Sequence, residues 1–230
     1  MNGLIPNFYA GRLYGDLKVN DVDVKGKSTA ELATHVGFVF QSPENQLFSL
    51  SVERDVAFGL ENLGIERELA IERVNWAMEV TGISQLKNKA PYELSGGQQQ
   101  RVAIAGVLAM RPHIIILDEP TSFLDPKTAE EILSVISHLN HEFGLTILLV
   151  EHRLDIVSAY ANRVIVMDKG KIVLDGPPEI VYDEPARLFG IGLPKITTLF
   201  HLLKRDGIHV PINPITVTQA SEALRRIFGI

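Results

Sequence analysis

The 230-residue sequence predicts an α/β domain with a parallel sheet, a helical lobe and a small helical appendage at the C-terminus. Three observations carry this. From residue 111 onward, short apolar runs alternate with longer periodic stretches, the pattern of strand and helix units around a parallel sheet. Residues 52–110 read as helix almost throughout, and beyond Pro185 two apolar stripes recur at helical spacing.

Taken in order, Val36–Phe40 reads as a strand, and Glu66–Thr81 as a helix closed by Gly82. Gln99–Met110 is a helix-forming run. Ile114–Leu117, Thr146–Val150 and Val164–Met167 are strands. Between the first two of these, Asp125 supplies an N-cap, Pro126 the first helical position and Gly144 the C-cap, which makes a βαβ unit. Asp168-Lys169-Gly170-Lys171 is a tight turn into Ile172–Leu174, so a hairpin is expected there. The final stripes are Ile196, Leu199, Phe200 and Leu203, then Ala220, Ala223, Leu224 and Ile227.

Composition narrows the function. With 46% hydrophobic and 22% charged residues the chain is a folding one. Its formal charge of −6 provides no electrostatic footprint for nucleic acid or an anionic membrane surface. The absence of cysteine excludes disulfides, a thiol nucleophile and cysteine-based metal sites, and fits a reducing compartment. Apolar runs such as Val102–Met110 are far shorter than the ~18 residues of a spanning helix. Met1–Gly11 has no basic residue and does not read as a secretory signal, so an intracellular location is expected.

Four segments could carry chemistry. Ile114–Leu117 runs into Asp118-Glu119-Pro120, an apolar strand ending in two carboxylates. Such a pair is either a solvated strand end or a site where one acid holds a hard cation while the other orients or deprotonates a water. Leu94-Ser95-Gly96-Gly97-Gln98 opens a helix; its glycines and free N–H groups suit either an ordinary serine N-cap or an anion such as phosphate. His152, after Val150-Glu151, is either structural or a donor to a phosphate oxygen. Gln41 opens the loop Gln41–Gln46, either solvated or offering its carbonyl to Mg²⁺ or a water. Gly26-Lys27-Ser28-Thr29 ends like a P-loop, but G-x-x-x-x-G-K requires glycine at position 21, which is Asp, so a turn entering a short helix over Thr29–Thr34 is expected instead.

Together these segments resemble the ATP-binding-cassette ATPases. Gln41, Leu94–Gln98, Ile114–Pro120, Ser122-Phe123-Leu124-Asp125 and His152 reproduce in order that family's Q-loop, signature, Walker B, D-loop and H-loop. The wording Phe40–Phe48, the run Val150-Glu151-His152-Arg153-Leu154 and the appendage look like the subfamily of energy-coupling-factor transporters for cobalt, nickel and vitamins. The fold this implies is an ABC-type nucleotide-binding domain, a P-loop NTPase core sheet plus helical signature lobe, over residues 1–184, followed by an appendage over 185–230. The family's P-loop is missing ahead of Gln41. Met1–Pro6 resembles the text just downstream of the P-loop helix, which implies an N-terminally incomplete domain with unpaired strand edges.

The resemblance implies a role for each position. Glu119 would be the general base toward the water attacking the γ-phosphate of ATP, with His152 contacting that phosphate and Gln41 sensing it. Asp118 and Gln41 would hold Mg²⁺. Ser95, Gly96, Gly97 and Gln98 would bind the nucleotide of a second ATPase subunit, identical or not, with Asp125 at the seam. Gln46, Leu47 and Phe48 would face a transmembrane subunit, a separate membrane protein would recognise the substrate, and the chain would sit peripherally on the cytoplasmic membrane face. By its residue type alone, Phe48 would be core. A non-catalytic partner supplying only its signature loop and a soluble non-transport ABC ATPase are the alternative functions.

Overall fold

The computed structural model describes residues 1–183, 190, 192–208, 210 and 212–229. The chain forms two units, Met1–Glu151 and His152–Ile230. The boundary expected at residues 184 and 185 lies outside the described residues.

The first unit begins with one short helical turn, α1 (Leu4–Asn7), and a two-residue hairpin, β1 (Lys18–Val19) with β2 (Val22–Asp23). Asn20 and Asp21 both take positive φ (48° and 63°), as the central positions of a type I′ turn require. Position 21, where a P-loop needs its first glycine, therefore sits at a hairpin tip. The chain then turns at Gly26 and enters α2 (Thr29–Ala33), capped reciprocally by Ser28 and Glu31. Lys27 Nζ pairs with Glu31 Oε1 at 3.0 Å, so its charge is engaged within its own helix turn. The short helix expected after Gly26–Thr29 is present.

The central layer is a parallel sheet of β3 (Val36–Val39), β4 (Ile114–Asp118) and β5 (Thr146–Val150), in the spatial order β3-β4-β5. Register pairs Val36 with Ile114 and Ile114 with Thr146, so all three C-terminal ends open on the same edge. Strand β4 lies in the middle and is buried at Ile115, Ile116 and Leu117. Strand β5 is an edge, and Leu148 and Val150 on it remain exposed. Strand β3 stops one residue short of the expected run, and Phe40 is exposed.

The helical lobe is α3 (Val52–Asn62), α4 (Arg67–Val80) and α5 (Gly96–Ala109). Helix α5 is apolar on nearly all sides and buried at Val102, Ala103, Ile104, Ala105, Val107, Leu108 and Ala109, as a helix enclosed by neighbours must be. It packs tightly on β3 and in ordinary contact on α3. A Cβ on Gly37 of β3 would meet Val107 Cγ1 at 2.1 Å, and one on Gly106 would lie 3.7 Å from the Asp55 carbonyl of α3. Helix α6 (Pro126–Phe143) completes the βαβ unit, buries Ala129, Ile132, Leu133, Ile136 and Leu139 on one stripe, and ends at Gly144 with φ 64°.

The second unit contains α7 (Leu154–Val157) and the antiparallel hairpin β6 (Val164–Asp168) with β7 (Lys171–Gly176), whose turn places Lys169 and Gly170 at positive φ as expected. After α8 (Pro178–Val181), α9 (Lys195–Arg205) and α10 (Val217–Phe228) form the appendage. Phe200, Val210, Ala220 and Ala223 are its buried centre, flanked by Ile196, Leu203, Leu224 and Ile227. Leu199, expected on the same stripe, is exposed at the margin instead.

Candidate active site at the carboxyl ends of the parallel strands

Strand β4 delivers Asp118 and Glu119 to the open edge of the sheet, both half-buried. Glu119 adopts a left-handed φ of 45°, a conformation that ordinary side chains avoid and that clusters at functional positions. Its N–H donates to the Val150 carbonyl at 2.9 Å, which carries the β4–β5 ladder one residue past the end of the strand. The carboxylate is held from two directions. Gln41 Nε2, arriving from the end of β3, donates to Glu119 Oε2 at 2.7 Å, and Ser122 Oγ donates to the same oxygen at 2.7 Å. Two residues 78 positions apart in sequence are thus in direct contact, a carboxylate at the sheet edge with an amide from the loop after the neighbouring strand.

The turn carrying Glu119 is itself anchored. Ser122 N–H returns to the Glu119 carbonyl at 3.2 Å. Thr121, fully buried, donates both its N–H and its hydroxyl to Glu151 Oε1 at the end of β5. Ser122 belongs to the D-loop segment and Glu151 to the run around His152, neither with a role expected from the sequence, and Thr121 carries no expectation at all. The available signal was polar residues at two adjoining strand ends, whose pairing only the sheet order reveals.

The signature segment stands at the start of α5. Ser95 is its N-cap: Ser95 Oγ accepts from Gln98 N–H at 3.4 Å, and Gln98 Oε1 accepts from Ser95 N–H at 3.1 Å. The serine therefore caps the helix, and Ser95 and Gly96 lie exposed on the surface. Gly97 is buried: a Cβ there would meet Thr128 Cγ2 of α6 at 2.3 Å, and one on Gly96 would touch Leu124 at 3.5 Å. The beginnings of α5 and α6 thus lie side by side. Asp125 caps α6, accepting from the N–H groups of Lys127 and Thr128 at 3.1 Å and from the Thr128 hydroxyl at 2.6 Å. The Thr128 hydroxyl, foremost, holds the Asp125 carboxyl below the usual aspartate range. Phe123 and Tyr92, both strongly exposed, flank this surface.

The loop after Gln41 is clamped at two points. Gln46 folds back so that its Oε1 accepts from Phe40 N–H at 3.2 Å, and the largely buried Asp55 of α3 accepts from Phe48 N–H and Ser49 N–H at 3.1 Å. Leu47 is half-buried, whereas Phe48 is 64% exposed, resting edge-on against Phe58 with ring centres 4.6 Å apart. The residue-type expectation that Phe48 is core fails, because Asp55 fixes its backbone at the surface. Phe38, Phe40, Gln46, Leu47, Phe48 and Phe58 contribute to the lining of an apolar cavity of about 380 Å³. His152 is exposed and opens the second unit.

Among the described residues, no three or more His, Cys, Asp or Glu gather into a metal cage. The donors at this edge are oxygens, and with Glu119 and Glu151 engaged by Gln41, Ser122 and Thr121, the Asp118 carboxylate and the Gln41 amide oxygen are those expected to hold a cation. This set suits Mg²⁺, which takes one or two protein oxygens and completes its shell with water and phosphate.

The class follows from comparison with known proteins. A family model described as ABC transporter matches residues 7–122, and the chain belongs to that family of ATP-binding, ATP-hydrolysing subunits. The α/β fold with its parallel sheet is that family's fold. More narrowly, the chain is 43% identical to the energy-coupling factor transporter ATP-binding protein EcfA2 of Clostridium tetani, over all of this chain and 80% of that protein. The solved structure of CbiO1 from Clostridium perfringens, part of the ABC transporter complex CbiONQ, superimposes with a TM-score of 0.68 at 40% identity, covering 80% of this chain and 74% of that one. The ATP-binding cassette MJ0796, solved as a dimer in a post-hydrolysis state with ADP and Pi, gives a TM-score of 0.61 at 30% identity over 71% of this chain and 73% of that one.

Proposed function

We propose that this chain is the ATP-hydrolysing subunit that powers an energy-coupling-factor type importer of a metal ion or vitamin. The observation that carries the reading is the Gln41–Glu119 hydrogen bond, which ties a surface loop to the acid best placed to activate water. The similarity to EcfA2 and CbiO1 supports it.

In this reading Glu119 takes the proton of the water that attacks the γ-phosphate, and Gln41 releases or grips Glu119 as the loop shifts. Asp118, with the Gln41 carbonyl, would hold Mg²⁺, which when bound would neutralise phosphate charge. His152 donates to a γ-phosphate oxygen. Ser95, Gly96, Gly97 and Gln98 meet the phosphates of a nucleotide carried by a second ATPase subunit through the Ser95 hydroxyl, the Gly96 and Gly97 N–H groups and the Gln98 side-chain amide, since the capping box already engages the Ser95 and Gln98 N–H groups, and Asp125 lies at the seam between the two. The exposure of Ser95 and Gly96, with Phe123 and Tyr92 beside them, supports an outward-facing role.

The clamped loop at Gln46, Leu47 and Phe48 meets a transmembrane subunit, and recognition of the substrate belongs to a separate membrane protein. No described helix is long and apolar enough to cross a membrane. In this reading the chain is attached to the cytoplasmic face through that partner. The domain division is read as an ATPase domain over 1–184 with an appendage over 185–230. A photoreactive side chain at Phe48, used in membranes carrying the assembled transporter, is expected to crosslink to an integral membrane subunit. Capture of lipid alone overturns the docking assignment.

A further inference from the structure

We propose that Glu151 is a positioning residue for hydrolysis: by gripping Thr121 it holds the turn at residues 119–122 in the shape that presents Glu119. The inference rests on the reading of Glu119 as the base. The turn is tied to strand β5 at two successive points, the Glu119 N–H on the Val150 carbonyl and the Thr121 N–H and hydroxyl on Glu151 Oε1. The first tie is ordinary ladder hydrogen bonding, open to any residue. The second needs a side-chain acceptor at position 151 long enough to reach across from the neighbouring strand.

Two features make that second tie matter. Thr121 is fully buried, so its two donors must be satisfied within the protein. Glu119 has a left-handed backbone, which persists only where its surroundings over-determine it. The residues that follow Glu119 are therefore the part of the turn through which its conformation can be enforced. Ser122 closes the arrangement, since its N–H returns to the Glu119 carbonyl and its hydroxyl to the Glu119 carboxylate. Without the Glu151 acceptor, the turn can relax and carry Ser122 and the carboxylate with it. The acid then keeps its chemistry and loses its aim, and a displacement of about 1 Å at a reacting group costs roughly 10²-fold in rate.

The test uses the ATPase in its assembled transporter, with Glu119→Gln as the reference for complete loss. Glu151→Ala is expected to lower kcat by about 10²-fold while leaving KM for ATP within about twofold, the signature of misplaced chemistry as opposed to lost binding. Glu151→Gln keeps a carbonyl oxygen that accepts both Thr121 donors and is expected to recover most of that loss. Thr121→Val, which keeps the buried volume and removes the hydroxyl, is expected to slow kcat, with little further loss when combined with Glu151→Ala. In the isolated chain, Glu151→Ala should also speed amide exchange at Thr121 and Ser122 without lowering protection in α5. Full turnover in Glu151→Ala, additive losses in the double variant, or a loss expressed only in KM would overturn the proposal. If Glu119→Gln itself turns over normally, the base assignment fails first, and the two failures are distinguishable.

Discussion

The turn at Glu119 and the loop at Ser95 carry the two ends of the proposed chemistry, and they are held in opposite ways. Beyond its near neighbour Ser122, Glu119 is fixed by partners distant in sequence: Gln41 from the loop after β3, and the end of β5 through Val150 and, by way of Thr121, Glu151. Ser95 is fixed by a capping box that spans three residues. The first arrangement exists only once the sheet has assembled, and it sets an acid that must be aimed. The second forms with its helix and leaves its donors on the surface. A group that acts within its own subunit is preorganised by the fold, whereas a group offered to another molecule needs only a well-made helix start.

The largest effect should come from the first region. Glu119→Gln is expected to lower ATP hydrolysis by about 10²–10⁴-fold with ATP binding retained, measured by phosphate release and nucleotide retention in the assembled complex. Turnover within about twofold of the parent would remove Glu119 from the role and dissolve the contrast. Next is Ser95→Ala, expected to slow hydrolysis by roughly 10²-fold without weakening nucleotide binding to its own subunit. Because this change also removes a helix cap worth about 1 kcal/mol, Ser95→Asn, which keeps a capping acceptor without the hydroxyl, separates the two causes. Recovery of full hydrolysis in Ser95→Asn would reduce Ser95 to a cap.

A smaller effect tests whether Lys27 takes any part. Since its ammonium is paired with Glu31, Lys27→Ala should leave MgATP affinity unchanged by calorimetry, and a marked loss would return Gly26–Thr29 to the phosphate site. The smallest effect concerns the same turn. The Ser28 N–H, first, and then Lys27 lower the Glu31 carboxyl from its ordinary value of 4.5 to about 2. A depressed carboxylate stabilises the folded state above its unfolded pKa and loses that contribution as pH falls toward the folded value. Amide protection at Ser28 should therefore hold at neutral pH and decline only between about pH 4.5 and 2. Decline at neutral pH would show that the capping box does not persist in solution.

The parts of the molecule that were legible in the sequence are those written in local punctuation. Asp125-Pro126 and Gly144 bracket α6, Gly82 with φ 69° closes the segment after α4, and Lys169-Gly170 turns the β6–β7 hairpin. Each is a backbone requirement met by a residue type. The β1–β2 hairpin escaped because its strands are two residues long and its turn is Asn-Asp, without the glycine that usually marks it. The candidate residues could be named from strand ends and a glycine-rich helix start. Their contacts could not, since Gln41 meets Glu119 and Thr121 meets Glu151 only through the order of strands in the sheet. Phe48 shows the limit of residue type as a guide: an aromatic is exposed because Asp55 holds its backbone at the surface.

The close packing of Gly97 against Thr128 makes two distant positions heritable as a pair. A methyl group at 97 has no room while Thr128 keeps its Cγ2, 2.3 Å from where a Cβ would lie, but that methyl is not what position 128 contributes to its own helix. Its hydroxyl and N–H bind Asp125. Thr128→Ser removes the obstructing carbon and keeps both bonds, so Gly97→Ala, damaging alone, should be accommodated in the Thr128→Ser background. The order of the two steps therefore matters for folding: serine at 128 first opens the space that alanine at 97 needs, whereas alanine at 97 first meets the Thr128 methyl.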